Sequence, residues 1–363
     1  MHRWTRLLAM ARGLAIILAL PLLAQAAPPP PATGPLAFAV LGDSGSHAYQ
    51  DDISFPPGTA LRGGPLRRHT FQWTEVLARL RPESIDPGAW GTWGQRRELL
   101  WLRRVAGLTW RGPRKQDYRY NFARSGAECD ALLDARYPQV PQLLTLMDED
   151  PARWRGGVIV IAIGVNSYGS KADLDALSRH PDDPVVQGKI TACVHAIAES
   201  VRMLRQRHPD TRIVVFGADN GAHWPPNFDR WRSAKAIRNI DLALDRFDDG
   251  LRALERRDPM VAMFESRRWL VERWGARDDR GEPAYRPVRI GTQLLVTNSL
   301  GDGPEHAYVA DGHAGLVLNA LWAQSIVEFL DIRFNAGIPR VGDDEVARLV
   351  AEAQRAVRGP AAN

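Results

Sequence analysis

Cysteine is scarce in this 363-residue chain: Cys129 and Cys193 are the only two. That excludes a scaffold built on disulfides and leaves room for one bridge at most. No pair of histidines has the close spacing of zinc ligands, which disfavours a metal hydrolase. Internal repeats are missing, so no solenoid or propeller is expected. After residue 35 no low-complexity linker divides the chain. Basic residues, mostly arginine, are not massed on one face, and no nucleic-acid partner is expected from them.

The one long apolar run lies at the start. Arg3, Arg6 and Arg12 precede "GLAIILALPLLAQA", which closes on Ala24-Gln25-Ala26, the pattern of a secretory signal peptide over residues 1–26. The run is shorter than the roughly 20 residues a bilayer requires, and it meets a Pro-rich lead-in at 27–35. An exported periplasmic or extracellular chain without a stable membrane anchor is therefore expected. Setting the three arginines aside lowers the formal charge from +5 to +2. One large domain is expected over 36–333, followed by a C-terminal tail, 334–363, with an amphipathic helix near 343–357. In an oxidising compartment the two cysteines either form a bridge or stay as buried thiols, and spacing alone does not choose between them.

Apolar or β-branched runs at 36–42, 118–123, 157–164, 212–217 and 261–266 predict five buried strands. Helical periodicity marks 71–81, 138–148, 188–208, 229–256 and 314–331. Strands alternating with helices predict an α/β fold with a mostly parallel sheet, and its chemistry belongs beyond the carboxyl ends of the strands. The stretch 51–115 reads as a loop-rich excursion carrying Trp73, Trp90, Trp93, Trp101 and Trp110. Those rings either join the core or line an acyl or sugar site.

Four segments fall at strand ends or in loops: "GDSGS" at 42–46, "ARSGAEC" at 123–129, "GVNSYG" at 164–169 and "VADGHAG" at 309–315. Ser44 is a candidate nucleophile, although a serine after a strand often caps a helix instead. A serine hydroxyl needs an imidazole to take its proton and a third group to hold the imidazole. His313 and Asp311 supply both from one turn ahead of a helix. Acyl transfer also needs donors for the developing oxyanion; the Asn166 amide and the Gly126 backbone N–H are candidates.

In this order the four segments resemble the SGNH/GDSL hydrolases, an esterase and lipase family, over residues 37 to about 330. The resemblance implies a flavodoxin-like three-layer α/β/α fold, a shallow site and no metal cofactor. It implies that the Ser44 N–H joins Gly126 and Asn166 in the oxyanion hole. The substrate it implies is a carboxylic ester of a glycan, a lipid or a small molecule. Two alternatives share the fold: an envelope O-acyltransferase and a non-catalytic glycan- or lipid-binding protein.

Two departures stand out. Gly45 replaces the usual leucine after the serine, and Asp311 lies two residues before His313 instead of three. Either Gly312 tightens the turn so that Asp311 reaches the imidazole, or a backbone carbonyl or Asp302 does the acid's work. If Asp311 is the acid, Asp311→Asn should slow turnover by orders of magnitude with little loss of stability.

Overall fold

The computed structural model describes residues 34–95, 111–134, 136–292 and 294–358. The expected signal peptide and most of the Pro-rich lead-in lie outside these residues. In chain order the elements are β1 (Leu36–Gly42), α1 (Trp73–Leu80), β2 (Ile85–Asp86), β3 (Trp90–Trp93), β4 (Lys115–Tyr118), α2 (Gln139–Glu149), β5 (Val158–Ala162), α3 (Val165–Tyr168), α4 (Lys171–Arg179), α5 (Pro184–Arg207), β6 (Arg212–Phe216), α6 (Ala234–Arg257), β7 (Val261–Phe264), α7 (Ser266–Trp274), β8 (Val288–Ile290), β9 (Leu294–Leu300), β10 (His306–Tyr308), α8 (Leu316–Phe334) and α9 (Asp343–Arg358).

Strands that are apolar along their middle positions can bury both faces, as β1, β5, β6 and β7 do here. β2, β1, β5, β6 and β7 pair in that order, all parallel, into a five-stranded sheet. Successive side chains point to opposite faces, which sorts the core into two layers. Ala39, Leu41, Ile159, Ile161 and Val215 pack with Leu143 of α2, Ile197 of α5 and Phe247 of α6. Phe38, Val40, Val160 and Phe216 pack with Leu77 of α1, Leu321 and Val327 of α8 and Val346 of α9. The result is a three-layer α/β/α fold whose strands all deliver their carboxyl ends to one edge.

One expected strand is corrected. Residues 118–123 do not form a strand of the main sheet: Tyr118 closes β4 in a separate antiparallel pair with β3, and Asn121 makes a single parallel bridge to Val40. The edge position belongs to β2, next to Leu36 and Ala37. Asn121 explains the break. Its Oδ1 accepts from Ala123 N–H at 3.0 Å, a local turn that competes with strand pairing, and its Nδ2 donates to Ser46 O of the loop after β1 at 2.8 Å. The segment still follows β1, since Phe122 N–H donates to Val40 O and Arg124 N–H to Gly42 O.

Cys129, in a 3₁₀ turn spanning Cys129–Leu132, is joined by a disulfide to Cys193 of α5, with Cα atoms 5.1 Å apart. Helix α9 packs on the α8 side of the core through Val346, Leu349, Val350 and Ala353, and Glu345 pairs with Arg81 at 2.8 Å. Among the described residues no helix is long and apolar enough to cross a membrane.

Candidate active site

β1 ends where a side chain would no longer fit. A Cβ on Gly42 would lie 2.4 Å from the carbonyl oxygen of Ala162, so only glycine lets β1 and β5 stay paired at this point. Gln139, at the start of α2, secures both backbone groups of Gly42: its Oε1 accepts from the N–H at 2.7 Å and its Nε2 donates to the C=O at 2.8 Å. Beyond this anchor Asp43 Oδ1 accepts from Gly45 N–H at 2.9 Å, and Gly45 O accepts from Trp73 Nε1 at 3.1 Å. Ser44 sits at the crest of this braced turn, half-buried. It caps no helix, because the next helical turn begins only at Gly64. Among the described residues its Oγ makes no hydrogen bond.

The turn 309–314 brings acid and imidazole together despite their short spacing. Gly312, at φ +86°, adopts the left-handed conformation, and Gly312 N–H donates to Val309 O at 2.8 Å. Asp311 Oδ1 then accepts from both His313 N–H at 3.1 Å and His313 Nδ1 at 3.0 Å. Asn319 of α8 holds the loop from beneath: Nδ2 donates to Ala314 O and Gly315 O, while Oδ1 accepts from Trp73 N–H. Tyr49 donates its hydroxyl to the same Ala314 O at 2.9 Å. Asp302 is directed elsewhere and accepts from Ala310 N–H at 3.0 Å.

Ser44, Asn166, Asp311 and His313 line one cavity of about 440 Å³. Asn166 lies on the short α3 just past β5, and its Nδ2 donates to Ala127 O at 2.9 Å. Gly126 is not among the lining residues but is one residue from that carbonyl. Its φ of +75° requires glycine although its Cβ position faces open space. The largest apolar side chains of its wall, Trp224, Trp269, Leu270, Leu318 and Trp322, come from the C-terminal half of the chain, with Val165 of α3 beside Asn166.

The tryptophans of the loop-rich excursion take other places. Trp73 is buried in the core beneath the Ser44 turn, Trp90 and Trp93 lie on β3, and Trp101 and Trp110 fall outside the described residues.

The carboxyl groups of the site are driven apart. Burial pushes Asp43 up to about 6 against hydrogen bonds from Gly45 and Gly164. Burial, joined by the charges of Asp43 and Asp248, lifts Asp219 at the cavity wall to about 7. For Asp311 burial also acts upward, but the hydrogen bond and charge of His313 and the charge of Arg62 outweigh it and hold the carboxyl well below its usual range.

Two features were not anticipated from the sequence. His47, fully buried, accepts at Nδ1 from Ser125 N–H at 3.2 Å, lies 3.1 Å from Ser125 Oγ, and meets Asp51 Oδ2 at Nε2, 2.9 Å away. Arg62, also buried, contacts both Asp311 and His313. The four-residue spacing of His47 and Asp51 is a weak signal; an arginine ahead of two glycines is weaker still.

No family model and no curated protein matches this chain. Among solved structures it is similar to an extracellular lipase from Streptomyces rimosus, with 16% identity over 79% of this chain and 99% of that one, at a TM-score of 0.37. It is also similar to a possible lipase from Chitinophaga pinensis, with 13% identity over 82% of this chain and 98% of that one, at a TM-score of 0.34. At that distance the chemistry has to be read from the residues themselves.

Proposed function

We propose that this chain is an exported serine esterase of the SGNH/GDSL type, acting on a carboxylic ester through an acyl-enzyme on Ser44. The observation that carries the reading is the convergence on one cavity of Ser44, Asn166 and a hydrogen-bonded Asp311–His313 pair, all from separate segments of the chain. With the Nδ1 proton given to Asp311, Nε2 of His313 is the free base. It takes the proton of Ser44 Oγ as Oγ bonds to the ester carbonyl carbon. The oxyanion is stabilised by the N–H groups of Ser44 and Gly126 and the amide of Asn166. His313 then returns the proton to the leaving alkoxide as the C–O bond breaks, and water repeats the sequence to free the acid.

The apolar wall suits an acyl or aryl group better than a highly charged one, which keeps acylated glycans, lipids and small esters as the substrate class. Export is supported by the arginine-flanked apolar leader and by the Cys129–Cys193 disulfide. The decisive experiment is treatment of the purified protein with a fluorophosphonate, followed by peptide mass spectrometry. An adduct on Ser44 that disappears in His313→Ala is expected; folded protein without an adduct would overturn the assignment.

A further inference from the structure

Arg62 has no part in the acyl-transfer scheme above, yet it is placed as though the site were assembled around it. Its residue is only 4% exposed. NH1 donates to Asp311 Oδ2 at 2.6 Å, and the Arg62 backbone N–H donates to the same oxygen at 2.8 Å. NH1 also lies 2.7 Å from His313 Nδ1, and NH2 donates to Ser125 Oγ at 3.2 Å. The guanidinium carbon is 4.5 Å from the centre of the Phe55 ring and 5.6 Å from that of Tyr49, so aromatic faces replace water around the charge.

The backbone confirms that this placement is costly to hold. Arg62 has φ +56°, a left-handed conformation that residues other than glycine, asparagine and aspartate seldom adopt, and Gly63 and Gly64 continue at +102° and +49°. Three successive left-handed residues fold the loop inward and put the guanidinium against the acid.

The chemistry of the contacts gives them a purpose. Within its own turn Asp311 is held only through Oδ1, which accepts from His313 N–H as well as facing Nδ1, and its second oxygen has to be fixed from elsewhere. Arg62 ties it: with Oδ2 held twice, Oδ1 faces His313 Nδ1. One imidazole nitrogen cannot both donate to Asp311 Oδ1 and accept from Arg62, so in the Nδ1–H tautomer the two hydrogens of NH1 have to be directed to Oδ2 and away from Nδ1. Through NH2 the same guanidinium reaches Ser125, which His47, itself bonded to Asp51, meets from the other side, and Ser125 precedes Gly126.

We infer that Arg62 is a positioning residue of this site, fixing the orientation of the Asp311–His313 pair and the segment that carries Gly126, and so making the two-residue acid spacing workable. The inference rests on the esterase reading of the site.

The test is the kinetics of Ser44 phosphonylation by a fluorophosphonate, resolved into the maximal inactivation rate and the half-saturating concentration, for the full chain and for Arg62→Gly and Arg62→Lys. Glycine suits the left-handed backbone, retains the N–H to Asp311 and leaves a hole the size of a guanidinium. Arg62→Gly is expected to lower the maximal rate by about 10²-fold, the scale of a misplacement near 1 Å, with half-saturation unchanged. Millimolar guanidinium should restore Arg62→Gly and leave the unsubstituted protein and Arg62→Lys unaffected. Arg62→Lys should label at an intermediate rate, since an ammonium reaches Asp311 without the second arm to Ser125; it carries the test if Arg62→Gly does not fold. Folded variants that label Ser44 at the normal rate, or a loss that guanidinium does not reverse and that follows thermal stability alone, would overturn the positioning role while leaving the esterase intact. Failure of Ser44 to label in the unsubstituted protein would overturn the esterase reading itself, and this inference with it.

Discussion

Asn166 Nδ2 donates to the carbonyl oxygen of Ala127 at 2.9 Å. One hydrogen of the amide is thereby committed to the loop that carries Gly126, and the other is left for the cavity. A single side chain thus sets the distance between two of the proposed oxyanion donors. Replacing it with alanine should lower kcat on a short-chain aryl ester by about 10²–10³-fold with a small change in KM. Steady-state kinetics decide the matter: a kcat within tenfold of normal would remove Asn166 from the oxyanion hole.

Asp311→Asn should lower kcat by about 10⁴-fold, because an amide no longer selects the Nδ1–H tautomer of His313. The structure alters the expectation for stability. Asp311 is the buried partner of Arg62, so its neutralisation leaves that cation unpaired, and a loss of about 3–5 kcal/mol replaces the small loss expected from the sequence. Urea unfolding of the variant measures it directly. Unchanged stability would mean that Arg62 finds water or another acceptor.

Asp43 and Asp219 should make stability decline as pH rises from about 4 to 7, opposed by the buried His47 and His223, whose lowered values act the other way. Asp43 and Asp219 are raised to about 6 and about 7, so between about pH 4 and 7 the folded chain binds more protons than the unfolded one. Their stabilising contribution is complete below the unfolded value near 4 and is lost as pH passes the folded values. Asp311, held low, has the opposite sign, and its contribution is lost only below about pH 4. Thermal midpoints measured from pH 4 to 8 should show the contribution of Asp219 as a difference: between about pH 4 and 7 the midpoint falls more, or rises less, in the unsubstituted protein than in Asp219→Asn. Equal slopes would show that Asp219 ionises freely.

The disulfide closes a sequence separation of 64 residues and ties the 3₁₀ turn after Gly126 to α5. Paired replacement of Cys129 and Cys193 by serine should cost about 2–4 kcal/mol in urea unfolding. A midpoint unaffected by the replacement, or by reduction, would show that the surrounding core alone holds the turn.

Legibility differed by the kind of interaction involved. The strands at 36–42, 157–164, 212–217 and 261–266 and the longer helices could be read because burial on both faces of a sheet, or on one stripe of a helix, leaves a local pattern of apolar residues. Residues 118–123 carried the same pattern and misled, because the side chain of Asn121 bonds its own neighbourhood and turns the chain away after one bridge. Among the tryptophans, type alone could not separate Trp73, which braces the Ser44 turn, from Trp269 and Trp322, which line the cavity.

The sequence by itself determined the layers and the identities of the candidate groups, since Ser44, Asn166, Asp311 and His313 each sit in a local context of turn and strand end that three or four neighbours define. It also contained the means of shortening the acid–histidine turn, because only Gly312 accepts a φ of +86° there without strain. Tertiary structure alone decided what holds those groups. Arg62 meets Asp311 across 249 residues and Gln139 meets Gly42 across 97. Contacts of that range leave no periodicity in the chain, because they depend on where the completed sheet and its loops bring distant segments, and a buried charge is recognisable as such only once its partner is in place.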